Sequence, residues 1–219
     1  MLLQATTPPV SRRRARDPIS LVAGALGLAA IVFVAVVDLW QGLTMEGYSI
    51  VANTISNLAA GDGSGLLDLA MKCLAVSIAV KAAALWRWDL GHRTGNPKRW
   101  VAGCIILLVL APIVYFIARY DGYSGLPTSR MEIHLALVAV LAAGFPLAAW
   151  LMGPGFDAVS RRWRAMSQVL AVLWVPLAAW FMFMPTSWDG LYERGLALIL
   201  LVWFGTAASN LVRQGLGRL

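Results

Sequence analysis

The chain has 219 residues, of which 59% are hydrophobic and 13% are charged. Ordinary soluble domains carry about 25% charged residues, so this composition predicts a membrane protein and excludes a second, soluble domain. The net charge of +7 does not predict nucleic-acid binding, because the basic residues form short clusters at the ends of apolar runs. Cys73 and Cys104 lie inside such runs and are expected to be buried thiols rather than a disulfide or metal ligands.

Six apolar runs follow a basic tail at residues 1–18, which is predicted to be disordered. Each run is close to the roughly 20 residues that a helix needs to cross a bilayer. They cover residues 19–43, 66–86, 101–120, 131–152, 165–184 and 195–212, and a short tail, 213–219, ends the chain. The predicted fold is all-α: a bundle of six transmembrane helices over residues 19–212. The apolar spacing within Ser49–Leu58 adds a short amphipathic helix, lying in the membrane interface after the first span.

The charges predict the orientation of this bundle. Of the 18 Lys and Arg residues, 13 lie in the two tails and in the connections 87–100 and 153–164. Cytoplasmic loops retain Lys and Arg, so both termini are predicted to be cytoplasmic. Eight of the 11 acidic residues lie on or near the opposite, outer side. This concentration predicts a polar pocket that opens outward between spans one, three, four and six.

The longest polar interruption on the outer side is Thr44–Gly65, which carries many hydrogen-bonding side chains but no Lys or Arg. We interpret it as part of a ligand site. The candidate ligand-binding residues are Asp38, Tyr48, Ser49, Asn53, Ser56, Glu193 and Arg194. Arg194 could bind a phosphate or carboxylate with its planar fork, or form an ion pair with Asp38 that holds span six against span one. The ion pair is the favoured interpretation. Asn53 and Ser56 could share a helix face toward a ligand or cap a helix.

His134, one of two histidines, is the most informative single residue. It lies just inside the outer boundary of span four, where an ionisable group normally faces water or the bundle interior. Because imidazole transfers protons near neutral pH, the candidate catalytic residues are His134, Glu132 and Asp121. The alternative is a structural histidine that fixes a neighbouring loop. The chain has no G-x-S-x-G elbow and no paired-histidine spacing, so no serine nucleophile, metal or cofactor is predicted.

Two further groups of residues, the lysines of the second span and the tryptophans near span ends, have a structural interpretation. Lys72 and Lys81 lie within the second span, where they could extend their amines to the interface or relay protons. Several tryptophans lie near predicted span ends and are expected to be membrane-interface anchors. On the inner side these are Trp86, Trp88, Trp100, Trp150 and Trp163.

Three motifs occur along the chain in the same order as in a known family. Tyr48-Ser49 is followed by Asn53, Ile55, Ser56 and Leu58; a loop with Asp121 and Pro127 precedes His134; and Gly190 precedes Arg194. The chain resembles the bacterial six-span membrane family catalogued as domain of unknown function 998. It departs from the family pattern at Ala59, where glycine is frequent, and in the distance between Asp121 and Pro127. The resemblance implies a six-helix fold in the bacterial inner membrane and brings no established reaction.

Three functions remain open from the sequence. The first is an outward-facing pocket that binds a lipid head group or small polar ligand. The second is an intramembrane enzyme acting on lipid or polyprenyl-linked substrates, with His134 as acid and base. The third is a proton-coupled transporter that uses Lys72 and Lys81. The expected partners are membrane lipid and such a ligand, without nucleic acid, and a homo-oligomer is left open.

Overall fold

A computed structural model describes residues 16–59, 64–120 and 128–219, without the side chains of residues 64, 118–120 and 128–131. Eight α-helices and no strand are present in these ranges, which confirms the all-α prediction. The helices are α1 (Pro18–Thr44), α2 (Ile55–Ala59), α3 (Ser64–Trp88), α4 (Leu90–Arg93), α5 (Pro97–Tyr120), α6 (Thr128–Phe156), α7 (Arg161–Trp180) and α8 (Asp189–Gly215). A 3-10 turn, Phe181–Phe183, extends α7.

Among the described helices, α1, α3, α5, α6, α7 and α8 are long and apolar enough to cross a membrane. The chain is therefore a multi-pass membrane protein with the six predicted spans. The short helix predicted after the first span is also present, but it begins at Ile55 instead of Ser49. Its late start has a physical cause, because the preceding residues form turns whose carbonyl groups bond to α8. One such bond runs from the Leu191 amide to the Val51 carbonyl, at 3.0 Å.

The spanning helices follow one another around the bundle. α1 packs against α3 and α8, α3 packs against α5, and α6 lies between α5 and α7. α7 and α8 are neighbours too, but they touch far less extensively than the other adjacent pairs. A crevice remains between the end of α7 and the start of α8.

The close contact between α1 and α8 depends on small residues. A Cβ atom on Gly24 would lie 2.5 Å from the carbonyl oxygen of Ala208, and a Cβ on Gly215 would lie 2.5 Å from the amide nitrogen of Leu21. Helices in lipid gain little from hydrophobic burial against one another, so such close backbone packing is a main source of their association.

Lys81 passes through this junction. A Cβ atom on Gly27 would lie 2.7 Å from Lys81 Cδ, and the Lys81 ammonium is 4.6 Å from the centre of the Phe204 ring. The residue is 1% exposed, and its Nζ has no hydrogen-bond partner in the described part of the chain. Lys81 therefore does not extend to the interface, whereas Lys72 is partly exposed and pairs with Asp68 one turn away.

Three of the predicted inner anchors are in fact core residues. Trp88, Trp100 and Trp163 are 6%, 1% and 4% exposed. Trp100 and Trp163 pack on Phe156, and Trp88 packs against Trp163. Trp86 and Trp150 remain on the outside of the bundle. The thiols also differ, since Cys104 is buried as expected but Cys73 is exposed.

Candidate functional site

The Arg194 side chain extends from α8 to α1 and forms a bidentate ion pair with Asp38. Its Nε is 3.0 Å from Asp38 Oδ2, and its Nη2 is 2.9 Å from Asp38 Oδ1. The two side chains are only 11% and 12% exposed. Parallel bonds of this kind fix orientation as well as charge, so the pair holds the last span against the first.

The other donors of Arg194 bind the loop between α1 and α2. Nη1 donates to the carbonyl oxygens of Ile50 and Asn53 at 3.0 Å each and of Gly190 at 3.2 Å, while Nη2 donates to the Tyr48 hydroxyl at 2.8 Å. A guanidinium has five N–H donors. Each of the three nitrogens therefore has its acceptors, and Arg194 has no donor left for a ligand phosphate or carboxylate.

Tyr48 extends the same network into the loop. Its hydroxyl oxygen lies 2.9 Å from the Asn53 carbonyl and 2.7 Å from the Thr54 carbonyl. Burial raises the pKa of the Tyr48 phenol, although the bond from Arg194 opposes this. The phenol thus keeps its proton and can donate to the loop backbone while it accepts from Arg194.

The start of α2 is capped from two directions. Thr54 Oγ1 accepts from the Asn57 amide at 3.1 Å, and Asn57 Oδ1 accepts from the Thr54 amide at 3.0 Å, which is a reciprocal capping box. The Glu193 carboxylate accepts from the Ile55 amide at 2.5 Å. These bonds satisfy amides that the first turn of a helix leaves without an internal partner.

Gly190 explains the glycine of the motif that ends in Arg194. A Cβ atom there would lie 2.1 Å from the carbonyl oxygen of Asn53, a distance that no side chain tolerates. The loop backbone thus lies directly on α8. We call the set Asp38, Tyr48, Asn53, Glu193 and Arg194 the outer lock, after the side of the membrane on which the sequence predicts it.

A crevice that the sequence did not predict lies on the other face of the same α8 turns. It has a volume of about 230 Å³, between α7 and α8. Its lining is formed by Leu177, Met184, Trp188, Leu191, Tyr192, Gly195 and Leu196. The Tyr192 hydroxyl donates to the Leu177 carbonyl at 2.9 Å, so this polar group of the lining is already satisfied. The crevice is therefore suited to hydrocarbon.

A family model described as "Protein of unknown function (DUF998)" matches residues 27–210. The chain belongs to the DUF998 family. The matched range includes the outer lock and the crevice of this DUF998 chain, so both lie within the family's domain. No curated protein and no solved structure matches the chain. Membership therefore establishes the family, and the function has to be argued from the geometry.

The remaining candidate residues of the DUF998 chain are placed separately. Ser49 is exposed on the loop, where its amide is bonded to Asn53 Oδ1 at 2.8 Å, and Ser56 is buried in α2. His134 is 4% exposed on α6, and Glu132 is exposed two residues before it. α6 packs against α5 and α7, away from the outer lock, and Asp121 lies outside the described residues.

No group of three His, Cys, Asp or Glu side chains in the described ranges is arranged to hold a metal ion. The candidate site that the sequence did not predict is the crevice. Gly195, one residue after Arg194, could have indicated the crevice, because a glycine on an apolar helix face leaves room beside the helix.

Proposed function

We propose that this DUF998 protein binds an amphiphilic lipid at the acid-rich end of the bundle, without chemical turnover. The observation that supports the proposal is the apolar crevice of about 230 Å³ between α7 and α8. Complete drug-sized ligands occupy pockets of roughly 300–1,000 Å³, so a crevice of this volume suits a segment of one hydrocarbon chain. It opens near the end of two spanning helices, where the chain and head group of a lipid meet.

The polar groups beside the crevice favour a head group that donates hydrogen bonds. Asp189 follows Trp188 of the lining and begins α8, and its carboxylate is partly exposed. Arg194 is fully occupied by the outer lock, and the Lys72 amine pairs with Asp68. A hydroxylated or amine-bearing head group therefore fits this end better than a phosphate held by Arg194. The role of the outer lock is to fix the loop and α8 beside that head group.

Filling the crevice tests the proposal. A Cβ atom on Gly195 would have no neighbour within 4 Å, so Gly195→Leu should fold and occupy the space of the ligand chain. Gly205→Leu is the matched control, because it makes the same replacement deeper on α8, where a Cβ would meet only Ile31 at 3.8 Å. Native mass spectrometry and lipid extraction of the purified proteins would measure the bound amphiphile.

We expect one co-purifying amphiphile to be retained by the wild type and by Gly205→Leu and lost from Gly195→Leu, whatever other lipid stays bound. Equal retention by both variants, or no bound amphiphile in the wild type, would overturn the proposal.

Catalysis and transport remain predictions, and they depend on residues outside the crevice. His134 is buried in the first turns of α6, two residues after the exposed Glu132, and an acid–base role for it stays a prediction. Lys81 remains the candidate for a proton relay because of its burial at the junction of α1, α3 and α8. We favour binding because an apolar space is present and no nucleophile or metal motif accompanies His134.

A further inference from the structure

Three Arg-Trp pairs lie at the opposite end of the bundle, where α1 begins and α8 ends. They are Arg87-Trp88 at the end of α3, Arg99-Trp100 near the start of α5 and Arg162-Trp163 near the start of α7. Two of the indole rings pack on Phe156, whose ring centre is 5.3 Å from that of Trp100 and 3.6 Å from that of Trp163. The Trp88 and Trp163 ring centres are 6.4 Å apart. We call these four rings the aromatic cluster.

Three arginines are chain neighbours of the aromatic cluster. Each directly precedes a buried tryptophan, and consecutive Cα atoms are about 3.8 Å apart. Arg87, Arg99 and Arg162 are all exposed. Within the described ranges Arg99 and Arg162 make no ion pair, and Arg87 comes only within 4.0 Å of Asp17. Burial of the tryptophans thus fixes the backbone of three exposed arginines next to the aromatic cluster.

Two buried donors lie in the same place. The Nε1 atoms of Trp88 and Trp163 are buried and have no hydrogen-bond partner among the residues that the structure describes. Trp100 differs, since its Nε1 donates to the Leu85 carbonyl at 3.1 Å. Indole and guanidinium nitrogens are donors only. Because unsatisfied buried donors are unfavourable, these two indoles would gain from an acceptor that a ligand supplies.

One carboxylate completes the arrangement. Asp157 follows Phe156, and its Oδ2 lies 3.4 Å from Arg164 Nη1. Its Oδ1 is buried without a hydrogen-bond partner in the described part of the chain. A ligand that fits must therefore offer acidic oxygens to the arginines and indoles and a hydroxyl or similar donor to Asp157.

We propose that the aromatic cluster and its three arginines form a binding site for the phosphate of an anionic phospholipid whose head group carries hydroxyls, as in phosphatidylglycerol. The membrane supplies this ligand at the correct level, since α3, α5 and α7 are spanning helices that begin or end here. Anionic head groups are attracted to basic residues between spanning helices. The site is separate from the crevice, which lies at the other end of the bundle.

The test uses the full chain in detergent, titrated with phosphatidylglycerol or phosphatidylcholine and followed by native mass spectrometry. Arg99→Gln combined with Arg162→Gln removes two charges beside the aromatic cluster. Arg213→Gln combined with Arg218→Gln removes the same charge from the same end, at residues with no neighbouring tryptophan. Loss of two charge-assisted bonds should weaken phosphatidylglycerol binding by about tenfold or more in the first variant and less than about twofold in the control.

A third variant separates hydrogen bonding from charge. Trp163→Phe keeps an aromatic ring beside Phe156 and removes the indole donor, and we expect it to weaken phosphatidylglycerol binding several-fold while a thermal melt shows a folded protein. Equal weakening by both arginine variants would show diffuse attraction only and overturn the site. Displacement of the lipid by millimolar inorganic phosphate would identify a free anion as the ligand and overturn the lipid assignment.

Discussion

Arg194 is the residue on which the acid-rich end depends most. A lysine could supply its charge, but only a planar fork can bond to both oxygens of Asp38 and to three backbone carbonyls at once. Removal of Arg194 would leave the Asp38 carboxylate buried without its cation. Loss of Arg194 is therefore expected to disrupt the whole outer lock and not one bond alone.

We predict that Arg194→Gln lowers the free energy of unfolding by about 3–5 kcal/mol, the usual cost of removing one partner of a buried ion pair. Unfolding in detergent, followed by tryptophan fluorescence, would measure the change. Lys72→Gln serves as the control, because the Asp68–Lys72 pair is about a third exposed and should contribute less than about 1 kcal/mol. A similar loss in both variants would contradict the special role of the outer lock.

The sequence predicted part of this arrangement. An intramembrane arginine requires an acid, and Asp38 was the acid at the right depth, so the pair followed from charge and position. The carbonyl groups that accept from the other donors could not be predicted. Every residue has a backbone carbonyl, so the sequence does not show which ones accept a hydrogen bond from Arg194. For the same reason the motif residues Asn53 and Glu193, which were interpreted as ligand-binding, could not be recognised as supports for the loop and for α2.

At the scale of helices, the junction of α1, α3 and α8 is built around Gly27 and Lys81. We predict that Gly27→Ala destabilises the protein by about 1–3 kcal/mol, because its Cβ would lie 2.7 Å from Lys81 Cδ and 3.1 Å from Ala208 Cβ. The Lys81→Ala background removes the first clash, so Gly27→Ala should cost less there. Unfolding of the four proteins in a double-mutant cycle would measure the coupling, and strictly additive effects would show that Lys81 does not occupy the space beside Gly27.

The spans were predictable and their buried faces were not. A helix in lipid must satisfy its own backbone groups, so run length alone identifies each span. Lipid and the bundle interior are both apolar, however, so hydrophobicity does not indicate which face of a helix is buried. This explains why Trp88, Trp100 and Trp163 were predicted to be anchors but lie in the aromatic cluster, and why the burial of Lys81 was not foreseen.

At the scale of the whole molecule, the bundle has two chemically different ends. The amide of Asp17 donates to the carbonyl of Gly215 at 3.2 Å, so the start of α1 and the end of α8 lie together. That end carries most of the basic residues, and the other carries most of the acidic ones. The two proposed lipid sites differ accordingly, with an apolar crevice beside acids at one end and exposed arginines next to buried indoles at the other.

The last prediction concerns the orientation of these ends. We expect both termini to be cytoplasmic, in a bacterial inner membrane, because Lys and Arg are retained on that side during insertion. In a background with Cys73→Ala and Cys104→Ala, a membrane-impermeant maleimide should label Ser49→Cys and Ser187→Cys in intact cells. It should label Arg218→Cys only after the cells are permeabilised, and labelling of all three after permeabilisation is the control. The reverse pattern would leave the fold intact but would move the crevice to the cytoplasmic leaflet, and the aromatic cluster would then face the outer leaflet.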